Sequence, residues 1–192
     1  EYLLTEKGLD YGSLPKGLLQ FHLYTQDNIR TPFEEHLVEG AAYSRNSDGT
    51  VYLHFTVSPE HRSRFEALLE TVRAKYEEHF GVHFEVGFSE QHPHTDTIAV
   101  EMDNAPFREE NGQILFRPGG HGALIENLNE LNDAVDIVFI KNIDNVVPDN
   151  LKNTTFTYKK VIGGVLMAYQ EKIFELLQQL ETQKTNESLI EE

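Results

Sequence analysis

Arg117-Pro118-Gly119-Gly120-His121-Gly122-Ala123-Leu124-Ile125-Glu126-Asn127-Leu128, followed shortly by Asp136-Ile137-Val138-Phe139-Ile140-Lys141-Asn142-Ile143-Asp144-Asn145, reads as loop, helix, strand and acidic tip. A glycine cluster that opens a helix leaves backbone N–H groups unpaired at the positive end of the helix, where no side chain obstructs an anion. The apolar run is expected as a strand over 136–142, buried on both faces. Its polar end would project Lys141, Asn142, Asp144 and Asn145 beyond the carboxyl edge of a sheet, where open α/β folds bind ligands. Together the two segments imply a phosphate and metal site.

The text on the amino-terminal side supplies the rest of the alternation. Gly17 to Tyr24 reads equally as a strand or an extended loop. Thr31-Pro32-Phe33-Glu34 has the capping hydroxyl, the proline and the third-position glutamate of a capping box, so a helix should run to about Tyr43. A turn at Asn46-Ser47-Asp48-Gly49 precedes a β-rich run from Val51 to Val57. Ser58-Pro59 restarts a helix whose stripe is Phe65, Leu68, Leu69, Val72, Tyr76 and Phe80, and Gly81 should stop it. Strands are expected over 82–88 and, shorter, 97–100, with a polar loop around 103–110. A helix over 121–131 then leads to the strand at 136–142. This order predicts a Rossmann-like layered α/β fold, mostly parallel, with helices on both faces. A last helix from about Gly164, marked by Met167, Ile173, Phe174, Leu177 and Leu180, leads into an acidic tail at 182–192. Residues 1–181 are expected to form one domain.

Composition narrows the function. The 192 residues carry 16 basic against 32 acidic side chains, a formal charge of −16. With no basic cluster, such a chain repels extended nucleic acid. The absence of cysteine excludes a disulfide framework and a thiolate nucleophile, and fits a reducing cytoplasm. No apolar run is long enough to cross a bilayer and no signal peptide is visible, so no membrane partner is expected. The acidic surface and the last helix leave room for a protein partner or an oligomer.

An anion cradle one helix away from a carboxylate suits magnesium-dependent phosphoryl or nucleotidyl transfer, because Mg²⁺ takes one or two carboxylates plus phosphate oxygens. The same residues carry a resemblance. Pro118-Gly119-Gly120-His121-Gly122 and Asn142-Ile143-Asp144-Asn145 resemble the Pro-Gly-Gly-His-Gly and Asn-x-Asp-Asn elements of UDP-sugar pyrophosphorylases. More closely, Leu14 to Asp149 resembles an uncharacterised bacterial domain-of-unknown-function family related to those nucleotidyltransferases. The resemblance implies that Gly119, Gly120, His121 and Gly122 face the nucleotide, with Gln91 and Asn142 beside it, and that Asp144 binds Mg²⁺. It also aligns Leu14-Pro15-Lys16-Gly17 with the Pro-Lys segment of sugar nucleotidyltransferases, making Lys16 a phosphate contact that stabilises departing pyrophosphate. The implied partners are a nucleoside triphosphate or sugar nucleotide and a sugar phosphate.

Two departures matter. Sugar nucleotidyltransferases place a glycine-rich loop before the Pro-Lys segment, and residues 1–13 do not supply it; a carboxy-terminal sugar-binding half is also missing. With Glu1 rather than methionine at its start, the chain reads as a fragment whose parent is the enzyme and which alone is expected to be inactive. Two other functions compete. One is a non-catalytic protein-binding module on the same fold. The other is a metal phosphoesterase of the His-x-His type, built on His92, His94 and Asp96, which an extended segment would point to one side.

Overall fold

The computed structural model describes residues 1–182 except 6, 27 and 132–134, and gives the backbone but not the side chain of His121. The tail expected at 182–192 lies, beyond Thr182, outside the described residues. The chain divides into two compact units, Glu1–Val146 and Val147–Glu192.

In the first unit, a short 3-10 turn (Lys16–Leu18) precedes an antiparallel pair, β1 (His22–Thr25) and β2 (Asn28–Arg30). Helix α1 (Pro32–Tyr43) follows at once, capped as its sequence dictates. The Thr31 hydroxyl accepts the Glu34 N–H at 3.2 Å, and the Glu34 carboxylate accepts the Thr31 N–H at 2.9 Å. Strand β3 (Thr50–Val57), helix α2 (Arg62–Phe80) and strand β4 (His83–Glu90) then form a βαβ unit. The strands pair parallel in unbroken register, from Thr50 opposite His83 to Val57 opposite Glu90. Phe65, Leu69, Val72 and Tyr76 of α2 are buried, and Gly81 ends the helix at φ +61°, a left-handed cap that costs glycine little.

One face of the β3–β4 pair carries the core, in which Phe33 and Leu37 of α1 meet Val51, Phe55 and Phe84. Gly40 lets α1 approach closely, since a Cβ there would lie 2.9 Å from Leu53 Cδ2. The other face presents Tyr52, His54, Thr56 and Ser89, and is met at its carboxyl end by Asn127. Beyond β4, a second antiparallel pair, β5 (Thr97–Ile98) and β6 (Phe116–Arg117), leads into a 3-10 turn (His121–Leu124) and the short helix α3 (Ile125–Asn129). The fold is therefore mixed α/β. Its described strands form three separate two-stranded sheets.

The strand expected at 136–142 is the main correction. The described residues 135–142 are irregular, although exposure alternates along them, with Val138 45% and Ile140 70% exposed. The alternate side chains lie on α1 instead of in a ladder. The Phe139 ring meets Tyr43 at 5.1 Å between centroids, Lys141 pairs with Glu39, and the Ile143 carbonyl accepts from His36 at 3.1 Å. Two residues of extended chain and one turn of helix advance similar distances, roughly 6 Å, so period two also fits a helix flank.

The second unit is dominated by α4 (Asp149–Thr182), a helix of 34 residues. It starts well before the expected Gly164. Gly163 and Gly164 lie within the helix, at a cost of about 1 kcal/mol each relative to alanine. Among the described residues, no helix is long and apolar enough to cross a membrane.

Candidate functional site

Lys16 and Asp144 are drawn together from opposite ends of the first unit. Pro15 leads into the 3-10 turn that presents Lys16, and Gly17 fixes how close that turn can come. A Cβ at Gly17 would stand 2.8 Å from the Phe65 ring and 3.0 Å from Ile143 Cγ1. Asp144 sits in a turn closed by Asn145 N–H donating to the Asn142 carbonyl at 3.1 Å. Lys16 Nζ donates to Asp144 Oδ2 at 2.5 Å, with the side chains 65% and 34% exposed. That hydrogen bond holds the Asp144 carboxyl below its usual range. An ion pair this exposed contributes little to folding, so folding does not require its placement.

The pair lies toward the carboxyl ends of β3 and β4. Phe65, which Gly17 touches, opens α2 just after β3, and its ring lies 6.5 Å from that of Phe88 near the end of β4. His36, which donates to the carbonyl just before Asp144, lies edge-on to Phe55 of β3 at 6.1 Å. Burial lowers the His36 pKa, so the neutral ring with a proton on Nε2 makes this contact.

Gln91 and the glycine loop meet at the end of β4. With its amide turned to satisfy both ends, Gln91 accepts from the Gly119 N–H at 2.7 Å and donates to the Gly119 carbonyl at 3.2 Å. Its oxygen also accepts from the Thr95 hydroxyl at 3.1 Å. Gly119 is required by space, since a Cβ would fall 2.7 Å from the Thr95 carbonyl and 2.9 Å from Ala123 Cβ. Gly120 and Gly122 differ, because among the described residues, their chain neighbours aside, a Cβ at either would meet nothing within 4 Å. The His121 side chain lies outside the described residues, and Asn142 is exposed at the start of the Asp144 turn.

The loop's helix is fastened to the β4 tip. Asn127 donates to Ser89 Oγ at 3.1 Å and to the Glu90 carbonyl at 2.8 Å. His92 pairs with Glu130 at 2.7 Å and His94 with Glu126 at 2.6 Å. The segment expected to be extended is a 3-10 turn at Pro93–Thr95, in which the His92 and His94 rings lie 5.4 Å apart and each imidazole is paired to a glutamate. Among the described residues, no group of three or more histidines and acids is arranged to hold a metal. Asp144 is thus a single carboxylate, which suits Mg²⁺ only when phosphate oxygens and water complete its shell.

Lys141 was expected at a projecting tip and instead turns inward. It pairs with Glu39, the two side chains being 9% and 0% exposed. Glu39 also accepts from the Tyr43 hydroxyl at 3.2 Å. A second buried carboxylate, Glu35, accepts from Tyr24 at 2.7 Å and lies 2.8 Å from His22 Nδ1. The sequence signal for both was an acid on a helix whose capping and apolar content mark it as core.

No curated protein and no solved structure matches the chain. A family profile described as "Domain of unknown function (DUF4301)" matches residues 1–192, and the chain belongs to that family.

Proposed function

We propose that the protein is a nucleotidyltransferase-like domain related to the UDP-sugar pyrophosphorylases, with the layered sheet of the nucleotide-diphospho-sugar transferases, and that it works in the cytoplasm. It binds a nucleoside triphosphate or sugar nucleotide together with Mg²⁺. In the parent reaction, a phosphate oxygen of a sugar 1-phosphate attacks the α-phosphorus of the nucleotide. The bond from that phosphorus to the bridging oxygen breaks, and pyrophosphate leaves with the electron pair. Lys16 lies against the phosphates and offsets the charge that grows on the leaving group. Asp144 holds Mg²⁺, and Gly119, Gly120, His121, Gly122, Gln91 and Asn142 receive the nucleotide.

The observation that carries the reading is the 2.5 Å contact between Lys16 and Asp144, 128 positions apart in sequence. The space left beside Gly120 and Gly122 by the described residues other than their chain neighbours supports it. Calorimetry with UTP and magnesium is the test: wild type should give heat that Asp144→Ala loses, and equal heats would remove Asp144 from the site. A second reading, a protein-binding module without catalysis, is favoured by the exposed apolar surface of α4.

A further inference from the structure

The face of the β3–β4 pair turned away from the α1 core sets a hydroxyl against an imidazole. Parallel register places His54 opposite Gly87 and Thr56 opposite Ser89, and residues two apart in a strand share a face. Gly87 gives the ring its place, since a Cβ there would stand 2.8 Å from His54 Nδ1. The imidazole therefore lies across β4 and brings Nε2 to 2.9 Å from Ser89 Oγ. Two further groups meet the same oxygen: Thr56 Oγ1 at 3.2 Å and Asn127 Nδ2 at 3.1 Å. Asn127 is 3% exposed, and its second bond, to the Glu90 carbonyl at 2.8 Å, keeps the amide nitrogen turned toward Ser89.

Proton count assigns the roles. An amide nitrogen only donates, so Asn127 occupies one lone pair of Ser89 Oγ, and the Thr56 hydroxyl can fill the other. The Ser89 proton then goes to His54 Nε2. Burial lowers the His54 pKa, opposed in part by the charge of Glu130, so the ring is neutral and able to accept. Ser89 and His54 are both only partly buried. A hydroxyl within reach of water needs no imidazole to satisfy it, so hydrogen bonding alone does not account for the space that Gly87 leaves beneath the ring. A serine donating to a neutral imidazole is an activated nucleophile, and this one lies at the carboxyl end of parallel strands, where α/β folds place ligands. Charge narrows the substrate. Among the described residues, no lysine or arginine bonds to His54, Thr56, Ser89 or Asn127, while Glu90 follows Ser89 and Glu130 acts on the ring. A phosphate would be repelled here, and an uncharged ester would not.

We propose that Ser89 is the nucleophile, and His54 its general base, for hydrolysis of an uncharged carboxylic ester. Oγ attacks the carbonyl carbon while its proton passes to His54 Nε2. The carbon–oxygen bond to the alcohol breaks, and the alcohol oxygen leaves with the electron pair and takes the proton from His54. Water then attacks the acyl-serine, its proton passing to the same ring and on to Oγ as the acid departs. The step uses neither Lys16 nor Asp144, and its test contains no nucleotide or magnesium, so its outcome is separate from that of the nucleotidyltransferase reading. Diisopropyl fluorophosphate, an uncharged probe, should modify the full chain at Ser89: the Oγ–phosphorus bond forms, fluoride leaves with the electron pair, and His54 takes the proton. Peptide mapping by mass spectrometry locates the adduct, and p-nitrophenyl acetate follows turnover. His54→Gln should slow both reactions by about a hundredfold or more, the low end of what a general base contributes. Ser89→Ala should abolish the adduct. Circular dichroism checks that each variant is folded, and His54→Asn takes the place of His54→Gln if the latter is not. The proposal is overturned if Ser89 of the wild type stays unmodified, if the adduct lies on another residue, or if a folded His54 variant reacts as fast as wild type.

Discussion

Replacing Lys141 with methionine should destabilise the first unit far more than a surface substitution would. Lys141 is 9% exposed and its partner Glu39 is fully buried, so removing the ammonium strands a carboxylate in the interior. Among the described residues, Glu39 Oε1 has no hydrogen-bond partner, and the Tyr43 hydroxyl is the other group that donates to this carboxylate. Breaking a buried pair from one side costs about 3–5 kcal/mol, a large share of the roughly 5–15 kcal/mol that holds a domain together. With a urea slope of about 2 kcal/mol per molar, the unfolding midpoint should fall by about 2 M. The companion variant, Glu39→Leu with Lys141→Met, removes both charges and fills the space with apolar atoms. It should recover to within about 1–2 kcal/mol of wild type, the remainder being the lost hydrogen bond between Tyr43 and Glu39. Urea unfolding followed by circular dichroism measures both, and hydrogen exchange along α1 assigns the transition to this unit. A loss below about 1 kcal/mol in Lys141→Met would refute the argument, because the pair would then be solvated.

Three further outcomes follow from the geometry. Gly119→Ala should lower stability by about 1–3 kcal/mol, through the clash with the Thr95 carbonyl and Ala123, whereas Gly120→Ala should leave the melting curve unchanged and weaken UTP binding in calorimetry. His36 has a folded pKa below its unfolded value of about 6.5, so its contribution is complete above that pH. It declines as pH falls toward the lowered folded value, and His36→Gln, which keeps a donor for the Ile143 carbonyl, should remove that part of the acid sensitivity in urea titrations. The Asp144 carboxyl, also lowered, should stay ionised below the unfolded carboxylate value of about 3.9 and lose its contact with Lys16 only as pH falls through its folded pKa. Carbon-detected NMR of the aspartates would show this, and Lys16→Met should return that titration toward the ordinary range.

The parts of the fold that were legible in sequence are those decided within a few residues. The Thr31 capping box, the Gly81 stop and the β-rich runs on either side of α2 are each set by contacts between neighbours in the chain, and each appears where it was expected. The run at 136–142 was misread because alternation records only that one side is covered. It does not say whether the cover is a strand or a helix, and here Tyr43, Glu39 and His36 of α1 provide it. The inward turn of Lys141 was hidden for the same reason, since its partner lies 102 positions away. Lys16 entered through resemblance alone, whereas Asp144 was also singled out as the tip of a strand that does not form; a lysine after a proline and an aspartate in a turn are each unremarkable alone.

The misread segment also explains how the candidate site is held. An Asn-Ile-Asp-Asn turn on the surface would ordinarily wander, yet the chain leading into it is tied to α1 by an aromatic contact, a buried ion pair and a hydrogen bond from His36, in consecutive alternate residues. Because α1 is buried from Pro32 to Gly40, those ties inherit the rigidity of the core. The other side of the contact is fixed by Gly17, whose missing side chain seats the Lys16 turn against Phe65 and Ile143. Position at the surface is thus set by burial beneath it, which is how a weak, exposed pair of charges can be held in place while contributing little to the stability of the fold. The same logic links the two kinds of experiment: Lys141→Met should loosen Asp144 as well as the core, and should weaken UTP binding under conditions where the protein remains folded.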